Sequence, residues 1–280
     1  MTDPAMNFIA IQDQDDARLS AYRSLKGKKL ERDGIFIAEG DKVVKSMIES
    51  GCRVVSCLTG KDAITRYKDL LTAMAKKGVP AYIADTEVIE GIIGFRFHRG
   101  IMAVGHCPQK RSVKNALKAL TRPHTLVALN AVNDPQNVGL IVRNAAAFGA
   151  GAVIVDNATY DPYYRKAVRV SMGAIFRLPL FYEDDLASSL NWLKKTYGTR
   201  IIVATPARGA RDIADVKFSG NICFVFGNED TGISRGVSRI ADTKVRIPIS
   251  KSIDSLNVAS ASAVFLYAAS ARQKKRLKAD

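Results

Sequence analysis

The sequence predicts an α/β fold: a parallel sheet with helices on both faces, preceded by a smaller α/β domain. Three observations carry this. Apolar runs of strand length alternate with runs of helical period along nearly the whole chain. A stretch without apolar period, PQKRS at 108–112, divides that alternation in two. Three polar loops, within 133–150, 224–234 and 247–264, each follow an apolar run and open into a helical one. Such loops line up glycine, amide and hydroxyl groups on one rim of a parallel sheet, where α/β folds bind ligands.

In the first half, IFIAE (35–39) reads as a strand and DKVVKSMIES (41–50) as a helix. RVVSCLT (53–59) is a second strand, and DAITRYKDLLTAMAKKG (62–78) has apolar residues at helical spacing closed by Gly78. VPAYIA (79–84) and GIMAVGHC (100–107) add two strands, giving an amino-terminal domain over 1–107. A linker and connecting helix follow at 108–120, with VKNALKALT (113–121) helical. In the second domain, 121–280, HTLVALNAV (124–132) predicts a strand, NVGLIVRNAAAFG (137–149) a helix and AVIVD (152–156) a strand. Alternation continues through IFRLPLF (175–181), SLNWLKKTYG (189–198), RIIVATP (200–206), NICFVFG (221–227) and KVRIP (244–248) to a closing helix from Leu256. No internal repeat interrupts it.

The chain has 280 residues, 47% of them hydrophobic, enough to bury a real core. Its 42 basic and 27 acidic side chains leave a net charge of +15, which points to a polyanionic partner, nucleic acid first. The start, MTDPAMNFIAIQDQDDARL, has four aspartates before its first arginine, wrong for a secretory or transit leader. The longest apolar stretch, 258–270, is too short and serine-rich to span a bilayer, so a cytoplasmic protein is expected. Cys52, Cys57, Cys107 and Cys223 lack CxxC spacing and read as reduced, buried small hydrophobes. The three histidines have no ligand spacing, and no metal is expected.

Each loop also has a plain structural reading. Asn137 can serve as a helix N-cap after Asp134-Pro135, Ser255 as the N-cap of the closing helix, and FVFGNEDTGIS as a strand-to-helix turn. Taken together, Asn137-x-Gly139-x-x-x-Arg143, Gly227-Asn228-Glu229-x-x-Gly232 and Ser255-Leu-Asn257 resemble, in order and spacing, the three motifs of the SpoU-type (TrmH family) RNA ribose 2′-O-methyltransferases of the SPOUT superfamily. RSLKGKKLERDGIFIAEGDKVV (23–44) and RGIMAVG (99–105) resemble the RNA-recruiting domain that precedes the catalytic one in many such enzymes, so the likeness covers nearly the whole chain.

The resemblance implies a carboxyl-terminal trefoil knot, a homodimer formed through the SPOUT domain, and S-adenosylmethionine as methyl donor to structured RNA, with ribosomal RNA favoured and transfer RNA the alternative. It implies catalytic roles for Asn137, Arg143, Glu229, Ser255 and Asn257. Arg143 would meet the ribose hydroxyl as an electrostatic partner, since a guanidinium does not normally give up its proton. Glu229 would brace the site and help hold Arg143 or the substrate, and Asn257 would pair with Ser255. The cofactor would rest on Thr205, Pro206, Gly227, Asn228, Gly232, Ile247, Ile249 and Leu256. Clusters in a basic chain track phosphates, so Lys26, Lys28, Lys29, Arg32, Arg96, Arg99, Arg165 and Arg169 are the expected RNA contacts. Two other readings remain: an RNA-binding protein on the same fold without catalysis, and an unrelated nucleotide-dependent α/β enzyme, which the lack of a phosphate-loop pattern disfavours.

Overall fold

The computed structural model describes residues 8–23, 25, 29–116, 123–250 and 252–276, with side chains to Ser270. Contacts divide the chain into two compact units, one of residues 1–108 with 163–176, the other of 109–162 with 177–280. The segment 163–176, which the sequence reading assigned to the second domain, thus packs in the first unit.

The first unit contains β1 (Phe8–Ala10), β2 (Ile35–Glu39), α1 (Asp41–Glu49), β3 (Val54–Gly60), α2 (Lys68–Ala75), β4 (Ala81–Ala84), α3 (Thr86–Ile93) and β5 (Ile101–His106). Its sheet has the order β1-β4-β3-β5-β2, parallel except where β5 runs antiparallel to β3 and β2. The helix expected over 62–78 is shorter. Tyr67, buried with its hydroxyl donating to the Arg99 carbonyl at 2.9 Å, takes φ −107° ahead of α2, so only the stretch after it is α-helical. α3 was not foreseen, because TEVIEGII is short and its β-branched residues favour a strand. Burial of Ile89, Ile92 and Ile93 against one core cluster and a left-handed Gly94 at its end make it a helix.

After α4 (Val113–Ala116), the second unit holds β6 (Thr125–Asn130), α5 (Pro135–Ala147) and β7 (Ala152–Asp156). The helix α6 (Arg165–Val170) belongs to the first unit. The second unit resumes with β8 (Leu180–Glu183), α7 (Leu186–Tyr197), β9 (Arg200–Ala204), β10 (Arg211–Asp212), β11 (Ile222–Gly227), α8 (Arg235–Ile240), β12 (Thr243–Arg246) and α9 (Val258–Arg276). All pairings in its seven-stranded sheet are parallel, in the order β10-β12-β9-β11-β6-β7-β8. The strand expected over 175–181 is confined to β8, since Ala174–Phe176 forms a 3-10 turn and Pro179 lies between.

Strand β11 shows how the sheet fixes its neighbours. Cys223 and Val225 point into a cluster with Leu190, Leu193 and Val237 of α7 and α8. Phe224 and Phe226 point the other way and stack on Phe265 of α9, with centroids at 5.6 and 5.8 Å. Period-two alternation therefore seats helices on both faces. Burying a Phe of this kind contributes about 2–3 kcal/mol, which anchors α9 and the loop before it. Cys57 and Cys223 are buried, and burial pushes the Cys57 thiol up to about 12. Cys52 and Cys107 are only partly buried, unlike the sequence reading, because each lies just outside a strand. No helix among the described residues is long and apolar enough to cross a membrane.

Candidate functional site

Parallel pairing brings the carboxyl ends of β6, β9, β11 and β12 to one rim, with Gly227 in register with Asn130 and Ala204 with Val245. Chain direction across the sheet switches beside β6, whose neighbours are β7 and β11, and such switch points open crevices. A cavity of about 430 Å³ lies at this rim. Thr205, Pro206, Gly227, Asn228, Gly232, Ile247, Ile249 and Leu256 all line it, as do Glu229, Ser255 and Asn257. Asn137 and Arg143 do not.

The cavity's walls are set by the loops themselves. Asn228 bridges to Gly232 through two backbone bonds at 3.2 and 3.0 Å, and its side-chain oxygen accepts from Asp230 N and Thr231 N, each at 2.9 Å. Its amide donates to the Ala131 carbonyl at 3.0 Å, joining the loop after β11 to the loop after β6. A Cβ on Gly227 would stand 2.6 Å from the Gly232 carbonyl oxygen, so this turn requires glycine before any ligand is considered. Ala131 itself has φ 59°, held by the Asp156 carboxylate, which accepts from its N–H at 3.1 Å.

Behind these loops Asp156 also accepts from Asn130 Nδ2 at 2.6 Å, and Asn130 Oδ1 accepts from Ser234 N at 2.7 Å. Sequence reasoning missed Asp156 and Asn130. Their signal was positional, polar residues ending two adjacent buried strands. It also missed Ala261 and Phe265 in the lining, which follow Asn257 at intervals of one helical turn.

Asn137 is buried and sits inside α5, whose N-cap is Asp134, accepting from Gln136 N at 2.9 Å with Pro135 in the first turn. The expected capping role therefore falls to Asp134, because proline fixes the turn two residues earlier. Asn137 donates instead to Glu229 Oε1 and accepts from Asn257 Nδ2, the latter at 3.0 Å. Glu229 thus holds Asn137 rather than Arg143. Ser255 does not cap α9 either. Asn257 does, accepting from Ala259 N and Ser260 N at 2.9 and 3.2 Å, and Ser255 stays exposed at the cavity without pairing to it. Arg143 is exposed and makes no hydrogen bond or ion pair among the described residues.

The expected RNA contacts separate into groups. Lys26 and Lys28 lie outside the described residues, while Lys29, Arg32, Arg96 and Arg99 are exposed in the first unit. Arg165 is diverted: its guanidinium reaches the buried Glu39 at 2.7 Å and covers the Phe95 ring at 4.5 Å. A buried carboxylate demands a cation, so Arg165 is committed to the unit's interior. Arg169 stands 3.9 Å from the same carboxylate and is half-buried.

The family model described as the SpoU rRNA Methylase family matches residues 124–267. An uncharacterized tRNA/rRNA methyltransferase of Mycobacterium tuberculosis is 36% identical over 265 residues, covering 91% of this chain and 89% of the relative. A 23S rRNA (guanosine-2′-O-)-methyltransferase RlmB of Ralstonia nicotianae is 33% identical, covering 73% of this chain and 82% of its own. Among solved structures, an AdoMet-bound rRNA methyltransferase from Sinorhizobium meliloti superposes with a TM-score of 0.81 over 94% of this chain and 97% of that one. At 23% identity this last likeness is one of fold.

Proposed function

This chain belongs to the SpoU rRNA Methylase family, and on that premise we propose that it methylates a ribose 2′-hydroxyl of structured RNA with S-adenosylmethionine. The observation that carries the reading is the joining of all three loops around one cavity through Asn137, Glu229 and Asn257. Ribosomal RNA is favoured over transfer RNA because the relatives whose names give one specific target, such as RlmB of Ralstonia nicotianae and RlmP of Bacillus subtilis, are 23S rRNA enzymes, although others are named for tRNA and rRNA together. The basic surface fits either RNA.

The donor fits the cavity chemically. Val245, Ile247, Leu256 and Phe265 offer apolar walls for an adenine ring, and the loops at 205–207 and 227–232 offer polar groups at its edge. The bound cofactor supplies an activated methyl on a sulfonium, so electrophile and leaving group come with it. The chain's own task is to align the hydroxyl and stabilise its developing negative charge. That charge role falls to Arg143, with the proton leaving to water or phosphate.

Arg143 does not line the cavity of its own copy, and this favours a homodimer in which a second copy brings its Arg143 to the site. Tyr267 and Val264, exposed on α9, provide an apolar face for such a contact. The family reading also carries the carboxyl-terminal knot, a preceding RNA-recruiting domain and action in the cytoplasm. The test is methyl transfer from labelled S-adenosylmethionine to ribosomal and transfer RNA from a strain lacking this gene, with the 2′-O-methyl position mapped. Cofactor binding without transfer to either RNA would favour a non-catalytic RNA-binding protein. Absence of cofactor binding would overturn the reading.

A further inference from the structure

The first unit has a cavity of its own, of about 300 Å³, lined by Glu39, Phe95, Arg96, Phe97, Arg99 and Arg169 among others. That is near the small end of ligand pockets, room for one base and far too little for a duplex. The Glu39 side chain is only 4% exposed. Its Oε1 accepts from Arg165 at 2.7 Å. Its Oε2 has no hydrogen bond among the described residues, and Arg169 Nη1 stands 3.9 Å from it. Glu39 lines the cavity, and a carboxylate oxygen there without a protein donor suits a ligand that brings an N–H.

Another part of the lining is held in place by the fold. The Phe97 N–H donates to Glu90 at 2.7 Å, the Arg99 carbonyl accepts from Tyr67 at 2.9 Å, and the Arg99 stem lies where a Cβ on Gly40 would meet it at 3.3 Å. The partly exposed ring of Phe95, exposed arginines at Arg96 and Arg99 and one carboxylate acceptor are the parts that recognise an unstacked nucleotide. We infer that this cavity takes a single unpaired base of the RNA, one with an amino group on its pairing edge, while Arg96 and Arg99 meet the flanking phosphate. Guanine, adenine and cytosine offer that amino donor to Glu39. Uracil offers only an N–H between two carbonyl oxygens, which the carboxylate repels. The inference rests on the RNA reading above and adds to it a base preference independent of methyl transfer.

The test uses the full chain and four labelled RNA heptamers, uridine throughout except for a central G, A, C or U. Affinity for the all-uridine strand should be lower by about tenfold. In Glu39→Gln the amide oxygen stays with Arg165 and the amide N–H turns to the ligand, so the order should reverse toward uridine. Arg96→Ala should weaken all four strands alike and lower the salt dependence. Parent affinities within about twofold of one another would overturn the inference, as would an unchanged order in a folded Glu39→Gln. Where that variant fails to fold, Arg96→Ala decides, and unchanged binding overturns. Guanosine monophosphate binding as tightly as the G heptamer would mean a free-nucleotide site and also overturn it. None of these readouts needs methyl transfer: lost preference with intact methylation sinks this inference alone, and the converse sinks only the proposed activity.

Discussion

Asn257 donates its side-chain amide to Asn137 across 3.0 Å, tying the first turn of α9 to the buried start of α5. Asn137 passes the connection on to Glu229. Asn137→Ala removes both bonds and leaves two polar partners unmatched at the cavity. Thermal melts should show a loss of about 1–3 kcal/mol, and methyl transfer should fall about 100-fold through misplaced loops. Unchanged turnover would show that the three loops do not work as a unit.

Gly227 leads to a prediction with the opposite signature. An added methyl would stand 2.6 Å from the Gly232 carbonyl oxygen and 2.8 Å from Ile233 Cδ1, so Gly227→Ala must push the turn open. Overpacking of this sort costs about 1–3 kcal/mol, and its effect falls on the cavity wall. Calorimetry should show S-adenosylmethionine affinity reduced by about tenfold or more. A full-affinity variant would mean the turn relaxes without disturbing the cavity.

Much of this was legible in the sequence, because strand alternation and loop composition are local signals. The rim residues of the second unit followed from the family resemblance that motifs such as Gly227-Asn228 and Ser255-Leu-Asn257 carry. Hydrogen-bond partners were not legible. Asn137 reads as a cap until Asp134 takes that position, and Arg165 reads as an RNA contact until the fold buries Glu39 beside it. Both depend on residues distant in sequence, Glu229 and Asn257 for one and Glu39 for the other, which no local pattern pairs.

Asp156 does not line the cavity, yet five donor contacts converge on it: Ala131 N, Asn130 Nδ2, Thr159 N, Thr159 Oγ1, and Ala131 N again through its second oxygen. It keeps Ala131 at positive φ, and Ala131 in turn accepts from Asn228. Asp156→Ala should cost about 3 kcal/mol or more by stripping a charged acceptor from several donors. Asp156→Asn, which keeps one acceptor, should recover part of the stability. Cofactor affinity should follow the same order in both, and a variant that melts early yet binds normally would confine Asp156 to stability.

Arg143 makes the sharpest case because no described residue of its own copy holds it through a hydrogen bond or ion pair. An exposed arginine without a hydrogen bond or ion pair among the described residues contributes little to folding, so Arg143→Ala should shift stability by no more than about 0.5 kcal/mol. It does not line the cavity, so cofactor affinity should also hold within about threefold. Methyl transfer should nevertheless fall about 100- to 1,000-fold, the cost of removing a group that stabilises developing negative charge. Mixing settles which copy it serves. If each site joins one copy's cavity to the other's arginine, Arg143→Ala and Gly227→Ala chains, each impaired at limiting S-adenosylmethionine, gain activity on exchange, since one hybrid site has both parts intact. If Arg143 acts within its own copy, every site in the mixture keeps one defect, and the mixture gains none.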